Sequence, residues 1–265
     1  MNSQFKIINA TDLWQIETSL PSIPTFSQSL DNVLGNEGIQ LGSITELLGL
    51  PGSGKTQLCL QLCASVQIPK SLGGLDAEAI YIDTNTNFSL NRFKEILHAS
   101  REKCKSILNV EHSNREEALK KLHYVNAFGL EKFCSFIYSL SQVIAERPCV
   151  RLIVIDSITF PFKEGITTKR RTGLLFRLMA EVQKLAIEKH IAVVLTNEMS
   201  TRVGLSTGSL VGAFGDAWAH RCNKRLLLTA PKFLEKERLA ALIKSNNSPE
   251  IVGRFQITDE GIRDL

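Results

Sequence analysis

The run Gly49-Leu50-Pro51-Gly52-Ser53-Gly54-Lys55-Thr56 constrains this chain more than any other stretch. It fits G-x-x-x-x-G-K-[ST], the phosphate-binding P-loop, at every fixed position. Its glycines let the backbone turn tightly enough to aim several N–H groups at one phosphate chain. Lys55 brings a point charge to the β- and γ-phosphates, and the Thr56 hydroxyl is a ligand for Mg²⁺. Such a loop also dictates local topology, because it joins an incoming strand to an outgoing helix. The apolar run Ile44–Leu48 reads as that strand and residues 56–66 as that helix. By average residue usage the pattern arises by chance in on the order of one chain in a hundred of this length. The alternative, a Gly-rich turn with no ligand, leaves the flanking strand and helix unexplained.

From Ser43 onward, strand-like and helix-like segments alternate, which is the pattern of βαβ units and a mostly parallel sheet. After the P-loop the strand candidates are residues 79–83, Leu122–Asn126, Val150–Asp156 and 191–197. They are short, apolar and largely β-branched, as in strands buried on both faces. Residues 173–189 form the clearest helix, with Leu174, Leu178, Val182, Leu185 and Ala186 along one face. The C-terminal part changes character. Residues 225–229, 239–244 and 252–257 alternate as antiparallel strands do, separated by charged or Asn-Ser-Pro turns. Residues 1–21 read as a short lead-in or linker, with a helical piece at 11–17 capped by Thr11 or Asp12. Residues 22–265 form the core domain.

Composition limits the function classes. The chain has 265 residues, 43% hydrophobic and 22% charged, ordinary for a globular domain with a substantial core. A net charge of +4 permits a nucleic-acid partner without requiring one. No apolar run approaches a membrane span, and Met1-Asn2-Ser3-Gln4-Phe5-Lys6 lacks a signal-peptide core, so no membrane partner is expected. The six cysteines form no C-x-x-C pair, which argues against a zinc site or redox motif and for free thiols in a reducing compartment.

A P-loop needs a partner carboxylate to hold Mg²⁺ through water, and that residue ends a buried apolar strand. Leu152-Ile153-Val154-Ile155-Asp156 supplies it in Asp156, about a hundred residues past Lys55. A simple strand-end cap is the alternative role.

With these pieces placed, the order of motifs is specific. P-loop, Tyr81-Ile82-Asp83-Thr84, 152–157 and Leu195-Thr196-Asn197 resemble the eukaryotic branch of the RecA-type (RecA/RadA) recombinases, above all their C-type paralogue. Thr25-Phe26-Ser27-Gln28-Ser29-Leu30-Asp31, Val66-Gln67-Ile68-Pro69 and residues 210–220 extend the likeness, which runs from about residue 11 to the end. The resemblance implies an α/β P-loop NTPase fold with a RecA-like core, a mostly parallel central sheet, helices on both faces and C-terminal antiparallel strands. It implies ATP and Mg²⁺ as cofactors. Gly49, Gly52, Ser53, Gly54, Lys55 and Thr56 would bind the triphosphate, Thr56 and Asp156 the metal. Arg92, four residues past Phe88, stands where family members stack an arginine on adenine. Residues 160–171 match a first DNA-facing loop and 200–215 a second. Lys163, Lys169, Arg170, Arg171 and Arg202 are their candidate contacts to DNA phosphates. A solvated helix start is the alternative for 169–171, although three cations there oppose the helix dipole.

Three departures matter. Where the family's second strand ends Asp-Thr-Glu-Gly, this chain has Asp83-Thr84-Asn85-Thr86. Asn85 can orient water but cannot accept its proton. Where the sensor strand continues Thr-Asn-Gln, this chain has Glu198, a carboxylate that repels the γ-phosphate unless neutralised. Alternatively, Glu198 replaces the lost base from another strand. Third, only about twenty residues precede the core, and Phe5-Lys6-Ile7-Ile8 lacks the alanine of the family's Phe-x-x-Ala subunit-docking linker.

The expectation is therefore an ATP-binding recombinase paralogue that assists homologous recombination and double-strand-break repair, with meiosis as one setting. It would act as a subunit of a hetero-oligomer with another paralogue or the main recombinase, on single- or double-stranded DNA, with weak ATPase activity. A competent DNA-dependent ATPase that remodels filaments is the alternative. A small-molecule P-loop kinase is disfavoured because no arginine-rich lid is evident. A nuclear location follows from that function rather than from an import signal, since basic residues 232–238 are interrupted by Phe233, Leu234, Glu235 and Glu237.

Overall fold

The structure, a computed structural model, describes residues 7–35, 38–108, 115–163, 166–201, 210–231, 236–246 and 248–265. In chain order the elements are α1 (Ala10–Ser19), β1 (Ser22–Ile23), α2 (Gln28–Val33), β2 (Ile39–Gln40), β3 (Ile44–Leu48), α3 (Lys55–Ser65), β4 (Glu78–Asp83) and α4 (Leu90–Leu108). Then come α5 (Arg115–Lys120), β5 (Leu122–Asn126), α6 (Leu130–Glu146), β6 (Val150–Asp156), α7 (Thr168–Lys189), β7 (Ala192–Asn197), β8 (Met199–Thr201) and β9 (Leu210–Gly212). α8 (Gly215–Ala219), β10 (Lys224–Thr229), β11 (Glu237–Lys244), β12 (Val252–Thr258) and β13 (Gly261–Arg263) complete the chain.

Among the described residues, nine strands form one sheet in the order β13-β12-β11-β10-β3-β7-β6-β4-β5. The six strands from β10 to β5 run parallel, and β11, β12 and β13 continue the sheet antiparallel. Two short antiparallel pairs, β1–β2 and β8–β9, stand apart. The pleat sends alternate residues to opposite faces. Leu47, Tyr81, Leu152, Val154 and Val194 meet α2, α3, α4 and α5 on one face. Ile44, Ile82, Ile153, Ile155 and Val193 meet α6, α7 and α8 on the other. β3, β6 and β7 are central and buried along nearly all of their length, which is why apolar residues dominate them.

α3 is buried along its length from Leu58 to Ser65, because the sheet lies under it, α4 beside it and β13 across it. A polar residue there must be paired, and Gln61 is: its Oε1 accepts the Ile262 N–H at 3.1 Å. Two residues further on, Asp264 fastens the chain to α2. It accepts hydrogen bonds from the Ser27 hydroxyl at 2.6 Å and the N–H groups of Gln28 and Ser29 at 2.9 and 3.1 Å, at the start of α2.

Several readings need correction. α1 begins at Ala10 with Asn9 as its cap, accepting from Asp12 N–H, because Asn9 sits one residue before the first helical turn. Its residues are all exposed. β5 is an edge strand, half-exposed rather than buried on both faces. β10 is parallel to β3 on one side and antiparallel to β11 only on the other. α7 starts at Thr168, five residues before Gly173, so Lys169, Arg170 and Arg171 occupy its first turn instead of a loop.

Candidate functional site

The parallel strands end on one edge of the sheet, and a cleft of about 700 Å³ opens there. In open α/β sheets, ligands bind beyond the carboxyl ends of such strands. Gly49, Gly52, Gly54, Lys55 and Thr56 line it from the P-loop, Asn85 from the loop after β4, Asp156 from the end of β6. Lys163, Thr196 and Glu198 close it on the side of β7. A smaller cavity of about 310 Å³ lies between α3, α4 and α5, lined by Gln67, Leu97, Cys104 and Lys121. It contains none of these groups.

The loop geometry explains its glycines. Gly54 caps α3 with φ +102°, and a Cβ there would stand 2.9 Å from Ile257 Cδ1. Gly49, at φ +155°, would drive a Cβ to 2.4 Å from the Leu228 carbonyl oxygen. The first turn of α3 leaves its N–H groups without intrahelical acceptors and directs a partial positive charge outward. Lys55 Nζ donates to the carbonyls of Gly49 (2.7 Å) and Leu50 (3.1 Å). Burial lowers the Lys55 pKa, and the carboxylates of Asp156 and Glu198 oppose that shift.

Asp156 is held by three hydroxyls. Thr56 Oγ1 and Tyr81 Oη donate to its Oδ2 at 2.8 and 2.6 Å, and Thr196 Oγ1 to its Oδ1 at 2.6 Å. Burial raises the Tyr81 pKa well above its usual value, with the Asp156 charge adding to it, so the phenol stays a donor. Tyr81 was missed in the sequence, where it reads as one more aromatic in a buried strand. Its place two residues before Asp83, on the same face of β4, was the available signal. The Asp156–Ser157 peptide is cis.

Asn85 is positioned by its own loop. Asp83 Oδ1 accepts from the N–H groups of Asn85 (3.1 Å) and Asn87 (3.2 Å), and Oδ2 accepts from Phe88 N–H (3.2 Å). Arg92 lies outside the phosphate cleft. Its guanidinium donates to Gln57 Oε1 at 2.8 Å, to Glu95 at 2.9 Å and to the carbonyls of Thr258 and Asp259. Those bonds fix the plane of the guanidinium between α3 and the β12–β13 turn.

A second set of contacts ties the cleft to the far side of β3. Asn197 Oδ1 accepts from Thr159 Oγ1 at 2.8 Å, and its amide donates to Glu46 Oε1 at 2.6 Å. Glu46 is fully buried, accepts from Trp218 Nε1 at 2.6 Å and pairs with Arg225. Phe214 packs edge-on against Trp218 and against Phe162, with centroids 5.5 and 6.1 Å apart.

The candidate DNA contacts separate. Lys169 and Arg170 are exposed on the first turn of α7. The Arg171 guanidinium lies over Phe214, 5.8 Å from its centroid. Lys163 is drawn into the nucleotide cleft, where it pairs with Glu198. Arg202, with half of the second loop, lies outside the described residues, as do Phe5 and Lys6.

The cleft fits a nucleoside triphosphate with Mg²⁺. Ser53 Oγ is buried beside the loop without a partner, and a Cβ on Gly52 would meet only open space. Among the described residues no cluster of three or more His, Cys, Asp or Glu could cage a metal. Thr56 and Asp156 instead offer the sparse oxygen set that suits Mg²⁺ shared with phosphates. When bound, the metal would neutralise phosphate charge.

The Rad51 family model matches residues 17–265. The chain is 34% identical over 270 residues to the DNA repair protein RAD51 homolog 3 of Cricetulus griseus, covering 98% of this chain and 73% of that protein. It is 32% identical over 254 residues to the DNA repair protein RAD51 homolog 3 of Dictyostelium discoideum, covering 92% of this chain and 66% of that one. With a P-loop, an apolar strand ending in Asp156 and this sheet order, the chain belongs to the Rad51 family of RecA-type recombinases, as one of its paralogues.

Proposed function

We propose that this recombinase paralogue serves recombinational DNA repair as an ATP-binding assembly subunit whose own hydrolysis is slow. One observation carries the reading: the phosphate grip is complete while the water-handling position holds Asn85. The P-loop N–H groups and Lys55 hold the phosphates, and Thr56 and Asp156 hold Mg²⁺. Asn85 orients a water beside them without taking its proton. A nucleotide bound across a subunit boundary stabilises assembly by mass action, even with little turnover. Its partners are DNA and a second recombinase or paralogue, in the nucleus, with meiosis as one setting. Residues 1–21 act as a lead-in to the core at 22–265.

The alternative, a competent ATPase with Glu198 as base, is weakened by the ion pair in which Lys163 engages both oxygens of that carboxylate. Co-expression with a second paralogue tests the assembly reading. Complex recovery should rise with ATP and fall with Lys55→Ala. A long ATP-dependent homofilament on DNA, formed by this chain alone, would overturn it.

A further inference from the structure

The cleft holds two carboxylates, Asp156 and Glu198, and two ammonium groups, Lys55 and Lys163. Asp156 is matched by three hydroxyls and Lys55 belongs to the P-loop. Glu198 and Lys163 are left to each other. Lys163 Nζ lies 2.9 Å from Glu198 Oε2 and 3.1 Å from Oε1, so the ammonium bridges both oxygens. It also lies 5.2 Å over the ring of Phe160, which packs against Phe128 at 5.7 Å.

Stability does not account for this pair. The two side chains are 44% and 38% exposed, and ion pairs that wet contribute little. The backbone of Glu198 is nonetheless pinned: its N–H donates to Thr159 Oγ1 at 3.1 Å and its carbonyl accepts from Ala213 N–H at 3.0 Å. The carboxylate is therefore held at the wall of a phosphate cleft. Alone, it would repel the outermost phosphate of a triphosphate more than that of a diphosphate, which reaches less far past Lys55.

We infer that Lys163 is a specificity-determining residue of the cleft: it neutralises Glu198 and presents a second cation beside Lys55 to the terminal phosphate, setting the preference for a nucleoside triphosphate over a diphosphate. The inference rests on the ATP-binding reading above. It moves Lys163 from the DNA-facing set to the nucleotide site. It also gives residues 160–163 a direct link to which nucleotide is bound.

The test is titration of the full chain with fluorescent ATP and ADP analogues in Mg²⁺. Lys163→Met should lose about tenfold in ATP affinity and less than about threefold in ADP affinity. Lys163→Arg should keep the wild-type ratio. The double variant Lys163→Met/Glu198→Gln should recover ATP affinity to within about threefold of wild type, because the repelling charge has gone. Thermal melting of each variant without nucleotide checks that folding is unchanged. Equal losses for ATP and ADP, no loss at all, or a double variant as weak as the single would overturn the assignment. Lys55→Ala separates the two levels. If it binds ATP like wild type, the ATP-binding reading falls and this inference with it. If it loses binding while Lys163→Met keeps the wild-type ratio, only the role of Lys163 falls.

Discussion

Thr56 Oγ1 donates a 2.8 Å hydrogen bond to Asp156 Oδ2, joining the first turn of α3 to the last residue of β6 across 100 positions of sequence. The same oxygen accepts from Tyr81, and Thr196 holds the other. Two strands and one helix thus converge on a carboxylate at the end of a third strand, which fixes it where a Mg²⁺ shared with phosphates would sit. Asp156→Asn should reduce ATP affinity in Mg²⁺ by about tenfold or more, and affinity in chelator by less than about threefold. Paired titrations with Mg²⁺ and with EDTA check this. Equal losses in both would remove Asp156 from metal binding.

Asn85 predicts slow turnover. A positioned general base is typically worth about a hundredfold or more. The Asp83 cap holds the Asn85 backbone whatever its side chain, so Asn85→Glu should fold normally and raise steady-state ATP hydrolysis by at least about tenfold. Wild-type turnover equal to that of the variant, in a phosphate-release assay, would show that Asn85 does not limit the reaction.

The parts of this site legible in the sequence are those where one residue type serves one physical need. Lys55, Thr56 and Asp156 are of this kind, and their spacing carried the strand–loop–helix topology with them. Glu46 was not legible. Inside Ile44–Leu48 it looks like a polar interruption, and only the sheet order shows Arg225, Trp218 and Asn197 converging on it. Lys163 reads as a loop cation for DNA phosphates until the end of β7 brings Glu198 opposite. The half-exposed β5 could not be told from a buried strand, because edge position depends on which strand fails to arrive next to it.

Glu46 gives a stability prediction. It is the shared acceptor for Arg225, Trp218 and Asn197. Glu46→Ala leaves these donors buried without it, a change that typically costs about 3–5 kcal/mol. Glu46→Leu combined with Arg225→Met should recover much of the loss. Urea denaturation midpoints measure both, and an unchanged midpoint in Glu46→Ala would show that the network is replaceable.

Asp264 gives a pH dependence. Burial acts to raise its pKa, but hydrogen bonds from Ser27, Ser29 and Gln28 outweigh that and hold it below the ordinary carboxylate range. A carboxylate with a depressed folded-state pKa contributes stability that is present above its unfolded pKa of about 3.9 and lost as pH falls through the folded value. Asp264→Asn should lower the melting temperature near neutral pH, by an amount corresponding to about 0.5–1 kcal/mol for a lost helix cap in a solvated setting. The gap to wild type should shrink as pH falls from about 6 to about 3. A gap that stays constant over that range would mean that the charge of Asp264 plays no part.

The exposed cations at the start of α7 make the last prediction. Lys169 and Arg170 extend from a helix N-terminus that is already electropositive, with no acidic residue in its first turn. Local helix stability opposes that arrangement, whereas a phosphate backbone lying across the helix end favours both the side chains and the dipole. Arg171, lying over Phe214, connects the same turn to the start of α8. Side chains of this kind read charge rather than base sequence. Replacing Lys169 and Arg170 together by Gln should weaken single-stranded DNA binding about equally for all sequences. It should also reduce the slope of log affinity against log salt by about 0.7 for each phosphate that the two cations neutralise in the wild type. Fluorescence anisotropy over a salt series measures that slope. The same slope in the variant and the wild type would place the DNA path on another face, or on the partner subunit.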